Sequence, residues 1–228
     1  MYLILIFTCI LVRCSKGYVF YLRGKLTRDK ASQMLKQWAQ KSLEIIRVDY
    51  HITGLEQLES VKSPSCIYMS NHSSNVDIPL ILAALPGDIR MIAKHSISTI
   101  PIMGPMMNIA EFIFIVRSDK KQSREAIEHA KDKIADGVSI WMAPEGTRNN
   151  GREILPLKFG GFHLAEQSKA PIVPIAIRNA HLAWEPKTWN IHGNQTVYIN
   201  IGPPIYVEGN IEQAMAEVKL WLEKSITV

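Results

Sequence analysis

The chain has 228 residues, with 26 Lys and Arg against 21 Asp and Glu, 47% apolar residues and 21% charged. That apolar share excludes a disordered chain, and the length suits one large domain or two small ones. The three cysteines, Cys9, Cys14 and Cys66, are an odd and sparse set with no C-x-x-C pair, which excludes a disulfide framework or a zinc ribbon and predicts a reducing compartment.

The chain begins with an apolar run, residues 1–12, where a straightforward spanning helix needs roughly 20. Arg13 and Lys16 interrupt its extension through Tyr18–Leu22, so a re-entrant or tilted anchor is predicted rather than a simple span. Positive charges follow the run instead of preceding it, and no small-residue cleavage site appears, so the segment is expected to be retained and the remainder to stay on the cytoplasmic side. Residues 13–41 carry eight Lys and Arg against Asp29 alone, which leaves the rest of the chain slightly acidic. Residues 29–48 read as an amphipathic helix with Asp29 as its cap and Met34, Leu35, Trp38, Ile45 and Ile46 on one stripe. On pattern alone that stripe suits either a core or the acyl boundary of a membrane. Placed after an apolar anchor and a basic linker, it is expected at the membrane surface, with its lysines toward anionic head groups. A nucleic-acid surface is not expected, because the basic run is fused to an apolar anchor and lacks interleaved aromatic platforms.

After Tyr50 the pattern changes to short apolar runs separated by helical stretches. Strands are predicted at 66–69, 90–93, 112–116, 139–142, 172–177 and 196–201, and helices at 78–85, 120–135, 161–168 and 211–224. This alternation predicts an α/β fold, a mostly parallel sheet flanked by helices. The division expected is a membrane-anchoring segment over 1–48 and a catalytic domain over 49–228. In such sheets, ligand sites gather where strands end and loops turn into helices.

Two of those loops carry unusual chemistry. After the first strand comes Asn71-His72-Ser73-Ser74-Asn75-Val76-Asp77, and after 139–142 comes Pro144-Glu145-Gly146-Thr147-Arg148. A histidine and an aspartate at this spacing meet across a tight turn, with the carboxylate on one ring nitrogen and the other nitrogen left as a base. The same residues also fit a structural histidine beside a helix capped by Asp77. In the second loop Gly146 permits close backbone approach, and Arg148 can grip a phosphate or carboxylate with two donors. Lys94 and Arg117, each ending a predicted strand, would complete an anion pocket beside the base if the fold brings them there.

With those residues in view, the chain resembles the glycerophospholipid acyltransferases, the family typified by 1-acyl-sn-glycerol-3-phosphate acyltransferase. Asn71–Asp77 resembles the first family block, Phe114-Ile115-Val116-Arg117 the second, Pro144–Arg148 the third and Ile172-Val173-Pro174-Ile175 the fourth, in the family's order. Two positions depart from the pattern: Val116 stands where the family is usually acidic, and Glu111 where it usually has the glycine opening the second block. The resemblance implies that His72 is the base and Asp77 its partner. It implies that Glu145, Gly146, Thr147 and Arg148 shape the acceptor site and that Arg117 and Lys94 help hold its phosphate.

The expected reaction is acyl transfer from acyl-CoA or acyl carrier protein to the free hydroxyl of a lyso-lipid acceptor, without an acyl-enzyme and with no metal or redox cofactor. The expected location is peripheral or monotopic on the cytoplasmic face of a membrane. Three alternatives rest on the same residues: another lyso-lipid acceptor, lipid binding without turnover, and metal-dependent hydrolysis through His72, Asp77 and Glu145. The remaining histidines, His51, His95, His129, His163, His181 and His192, are expected to be structural or exposed.

Overall fold

A computed structural model describes residues 1–116 and 119–227, with residue 120 described by its backbone only. Its framework is an α/β sandwich. Seven strands form one sheet: β1 (Val48–Thr53), β2 (Ile67–Ser70), β3 (Ile89–Lys94), β4 (Ile113–Ile115), β5 (Ser139–Met142), β6 (Ile172–Arg178) and β7 (Gln195–Ile201). They lie in the order β1-β7-β6-β2-β5-β3-β4, and every neighbouring pair is parallel except β6 with β7. The helices are α1 (Tyr2–Leu22), α2 (Arg28–Ile46), α3 (Asp77–Ala84), α4 (Met103–Ile109), α5 (Lys120–Ala135), α6 (Gly160–Ser168), α7 (Ala180–Ala183) and α8 (Ile211–Thr227).

The central strands are buried on both faces. β2 and β6 read as near-continuous apolar runs, with Ile67, Met69, Ile172, Val173, Ile175 and Ala176 all at 0% exposure, as a sheet covered by helices on both sides requires. One apolar cluster packs α2 and α3 on one face, and a second packs α5, α6 and α8 on the other. The edge strand β1 was not among the predicted strands. Its alternation is half polar, and it is held in place by parallel pairing with β7, Val48 opposite Gln195 through Thr53 opposite Asn200.

Two further expectations are corrected, both in α2, and the form of the amino-terminal anchor becomes visible. The interrupted apolar run is one continuous 21-residue helix, long and apolar enough by length and composition to cross a membrane. Arg13 sits within it, and its Nη1 donates to Gln37 Oε1 of α2 at 2.7 Å. Helix α2 starts two residues earlier than expected, with Thr27 as its cap, its Oγ1 accepting from the Lys30 amide at 3.3 Å. The stripe of α2 also faces inward: Ala39, Leu43 and Ile46 are buried, while Met34, Leu35 and Trp38 line the cavity that reaches His72. It is α1 that turns apolar side chains outward, with Ile4, Phe7, Leu11, Val12 and Tyr18 exposed.

α1 runs along the domain for its whole length. A Cβ on Gly193 would stand 3.1 Å from Tyr2 Oη. Ile6 and Ile10 line the same cavity, and Lys30 Nζ sits 3.6 Å above the Phe20 ring. Gly17 makes the closest approach, since a Cβ there would meet Met106 Cε of α4 at 2.7 Å. A larger residue there would require the Met106 side chain to swing aside.

Candidate active site

β2 and β5 are parallel neighbours, Ile67 opposite Ile140, so the loops leaving their carboxyl ends emerge side by side. This brings together the two loops singled out by the sequence, with β3 and its terminal Lys94 on the other flank of β5.

In the first loop the chain wraps around Asp77, the first residue of α3. Its Oδ2 accepts from His72 Nδ1 at 2.7 Å and from the Ser73 and Ser74 amides at 2.9 Å each. Asp77 is fully buried, so the carboxylate at the helix amino terminus meets the positive end of the α3 dipole and no water. The His72 ring stands edge-on to Trp141 with centroids 5.9 Å apart, and Trp141 Nε1 donates to Ser70 Oγ at 3.0 Å. With Nδ1 committed to Asp77, Nε2 is the nitrogen left for the cavity that His72 lines. That is the geometry of a general base whose tautomer is set by its partner.

The rest of the loop is held by longer links. Asn71 Nδ2 donates to Ile177 O and its Oδ1 accepts from the Ile177 amide, both at 2.8 Å, so the side chain completes the end of β6. Ser74 Oγ donates to Trp184 O at 2.7 Å. Neither role shows in the spacing of the sequence, because each partner lies more than 100 positions away.

Glu145 lies behind the site, not on its wall. Its carboxylate accepts from the His72 amide at 3.1 Å, from Asn149 Nδ2 at 3.0 and 2.8 Å and from the Leu155 amide at 2.9 Å. It is 2% exposed, and burial pushes its carboxyl above the ordinary range against the pull of those donors. The Asn149 amide donates back to His72 O at 2.7 Å, so Glu145 and Asn149 tie the second loop to the first. Asn149 was not singled out by the sequence. Only its adjacency to Arg148 could have raised it.

Arg148 and Thr147 do line the cavity, together with Lys94 and His95. Arg148 Nη1 donates to Asn75 Oδ1 at 2.6 Å, which aims the guanidinium from the second loop across the first. Gly146 has φ +73°, the left-handed region that favours glycine, at the turn that directs Arg148 there. Arg117 lies outside the described residues. The structure therefore brings His72, Asp77, Lys94, Thr147 and Arg148 to one site and assigns Glu145 to its support.

The cavity measures about 1030 Å³ and runs from His72 between α1, α2 and α4. Asn75, Thr147, Arg148, Lys94 and His95 join His72 in its lining, Arg13 and Ser42 line it from α1 and α2, and Ile6, Ile10, Leu35, Met106, Met107 and Phe112 are among its apolar walls. Among the described residues, no three His, Cys, Asp or Glu side chains are grouped to hold a metal ion. His181 is half-buried on α7 under the backbone of Gly151, and burial lowers its pKa. His51 stacks on Tyr198, and His192 pairs with Glu185.

A parallel α/β sheet with a His–Asp pair at a strand end, opening to an apolar cavity with cations at its mouth, defines the class. The family model described as Acyltransferase matches residues 49–178, and the chain belongs to that family. Among its relatives is the 1-acyl-sn-glycerol-3-phosphate acyltransferase of Haemophilus influenzae, 32% identical over 70% of this chain and 68% of that one. The enzyme of the same name from Saccharomyces cerevisiae is 29% identical over 76% and 57%. A human 1-acyl-sn-glycerol-3-phosphate acyltransferase alpha is 34% identical over 63% and 50%. The matched region is therefore about half the length of the yeast and human relatives. The crystal structure of the 1-acyl-sn-glycerophosphate acyltransferase of Thermotoga maritima superposes over 100% of this chain and 97% of that one, with a TM-score of 0.75 at 23% identity, a likeness of fold.

Proposed function

We propose that the protein transfers a fatty acyl group from an acyl thioester, of coenzyme A or acyl carrier protein, to the free hydroxyl of 1-acyl-glycerol-3-phosphate, forming phosphatidic acid. The observation that carries this reading is the His72 Nδ1 to Asp77 Oδ2 contact of 2.7 Å on the wall of a long apolar cavity. His72 Nε2 takes the proton of the acceptor hydroxyl as its oxygen attacks the thioester carbonyl. The oxygen–carbon bond forms, the carbon–sulfur bond breaks, and the thiolate leaves with the proton that His72 gives up. Asp77 keeps the ring oriented and offsets the charge of the imidazolium between those two transfers. Arg148 and Lys94 supply the positive charge for the acceptor phosphate, and the apolar walls accommodate an acyl chain. No cofactor beyond the thioester co-substrate is required.

The same reading places the protein on a membrane, because acceptor and product are both lipids. α1 contacts the domain along its length and turns an apolar face outward, so it lies in the surface of one leaflet instead of crossing both, with the exposed Lys16, Arg23 and Lys25 facing anionic head groups. The leaflet proposed is the cytoplasmic one.

The test is acyl transfer by the purified chain in mixed micelles, with labelled acyl-CoA and acyl carrier protein thioester in turn and lysophosphatidic acid as acceptor. Phosphatidic acid is the expected product, unaffected by a metal chelator. His72→Ala is expected to lower the rate by about 10³-fold or more. A His72→Ala protein with a near-normal rate overturns the mechanism, and product only from a different lyso-lipid overturns the acceptor.

A further inference from the structure

After α7 the chain enters a short loop, residues 185–192, that is braced from within. Trp184, itself buried, donates from Nε1 to Thr188 O at 3.1 Å. Asn190 donates through its amide to Thr188 Oγ1 at 3.1 Å and through Nδ2 to Glu185 Oε2 at 3.0 Å. His192 Nε2 pairs with Glu185 Oε1 at 3.2 Å, and an antiparallel bridge joins Trp184 to Ile191. A loop held by this many internal bonds is not free to fold a large side chain back onto the domain.

That loop holds Trp189 67% exposed. An indole this exposed on a rigid loop leaves a large apolar area in water with nothing gained from the fold. Its one ring neighbour among the described residues is Phe7 of α1, 6.4 Å away and itself about half exposed. Lys187, two residues before it on the loop, and Leu182 of the preceding α7 are also exposed. Trp189 thus extends the outward apolar face of α1 onto the catalytic domain.

We propose that Trp189 is a second point of membrane contact, seated at the boundary between head groups and acyl chains of the leaflet that receives α1. An indole suits that depth, since its rings are apolar and its N–H finds acceptors among the glycerol esters. The exposed Lys16 on α1 and Lys187 on the loop favour anionic head groups over a second copy of the same basic surface. With α1 alone, the protein could roll about the helix axis. A contact on the domain side fixes that rotation, and with it the direction in which the site faces the lipid. This proposal rests on the reading of α1 as the membrane-facing helix.

The experiment uses the full chain and vesicles of phosphatidylcholine and phosphatidylglycerol. Trp189 emission is isolated as the difference between the wild type and Trp189→Phe, and it is expected to be quenched by phosphatidylcholine brominated near the ester end of its chains more than at their termini. Trp189→Ala is expected to leave vesicles about five- to tenfold faster in a transfer assay while turning over lysophosphatidic acid in detergent micelles at the wild-type rate. If the wild type binds vesicles but Trp189 is unquenched and the alanine variant leaves at the same rate, the proposal fails while α1 remains the anchor. If the variant changes the assembly state in detergent and not the vesicle off-rate, the face joins two copies and the proposal fails in that direction. A wild type that does not bind vesicles overturns the membrane placement itself.

Discussion

One oxygen of Asp77 serves three donors, so the ring of His72 is fixed both in rotation and in tautomer. Asp77→Asn offers at that position either an amide nitrogen facing two backbone N–H groups or a neutral oxygen that stabilises an imidazolium poorly. The expected result is a loss of about 10³- to 10⁴-fold in kcat with little change in KM for the thioester, read by steady-state kinetics. The His72–Asp77 pairing was legible in the sequence because both partners sit on one loop, five positions apart. The role of Glu145 was not. Its residue type and its motif suggested substrate contact, but the carboxylate meets the His72 amide 73 positions away, and burial turned it into a strut.

The joint between α2 and the sheet shows how elements are fastened by residues that no motif announces. Glu111, with φ +65°, links α4 to β4 and accepts from Arg28 Nε and Nη2 at 2.9 and 3.0 Å and from Lys133 Nζ at 2.6 Å. The fully buried Arg90 of β3 lies 3.5 Å away and donates from Nη1 to Ser32 Oγ of α2 at 3.0 Å. Arg28 and Lys133 hold the Glu111 carboxyl down at about 2, chiefly through the Arg28 hydrogen bond. A depressed carboxylate contributes stability above its unfolded value and loses it as pH falls toward its folded one. The wild type should therefore lose stability between about pH 4.5 and 2 more steeply than Glu111→Gln, which already lacks the contribution. At neutral pH the variant should be less stable by about 1–2 kcal/mol, a fall of roughly 2–8 °C in Tm by calorimetry. The positive φ also accounts for why a glycine would suit position 111: the backbone there is in the region glycine adopts without strain, and in this chain the three cations Arg28, Arg90 and Lys133 hold a glutamate in it.

Across the whole molecule, the sheet supplies one wall of the cavity and the α1–α2 hairpin with α4 supplies the others, so its length depends on how these layers close. Met107 of α4 lies along that wall, partly buried. Met107→Trp is expected to lower kcat/KM for long acyl donors by about tenfold relative to short ones, measured as a ratio within one preparation so that any loss of folded protein cancels. The α/β alternation, most of its strands, and the two loops carrying His72, Asp77 and Arg148 could be read from the chain alone, because apolar periodicity and short-range spacing are local properties. What covers each apolar face is not local. The stripe of α2 suits a bilayer as well as it suits α3, and it was the packing of the layers that turned it inward and left α1 facing out. β1 likewise becomes a strand through pairing with β7, about 147 residues further along, and Glu145 becomes a support through His72 on another loop. A sequence pattern specifies which side of an element avoids water, whereas the partner on that side depends on contacts between segments far apart in the chain.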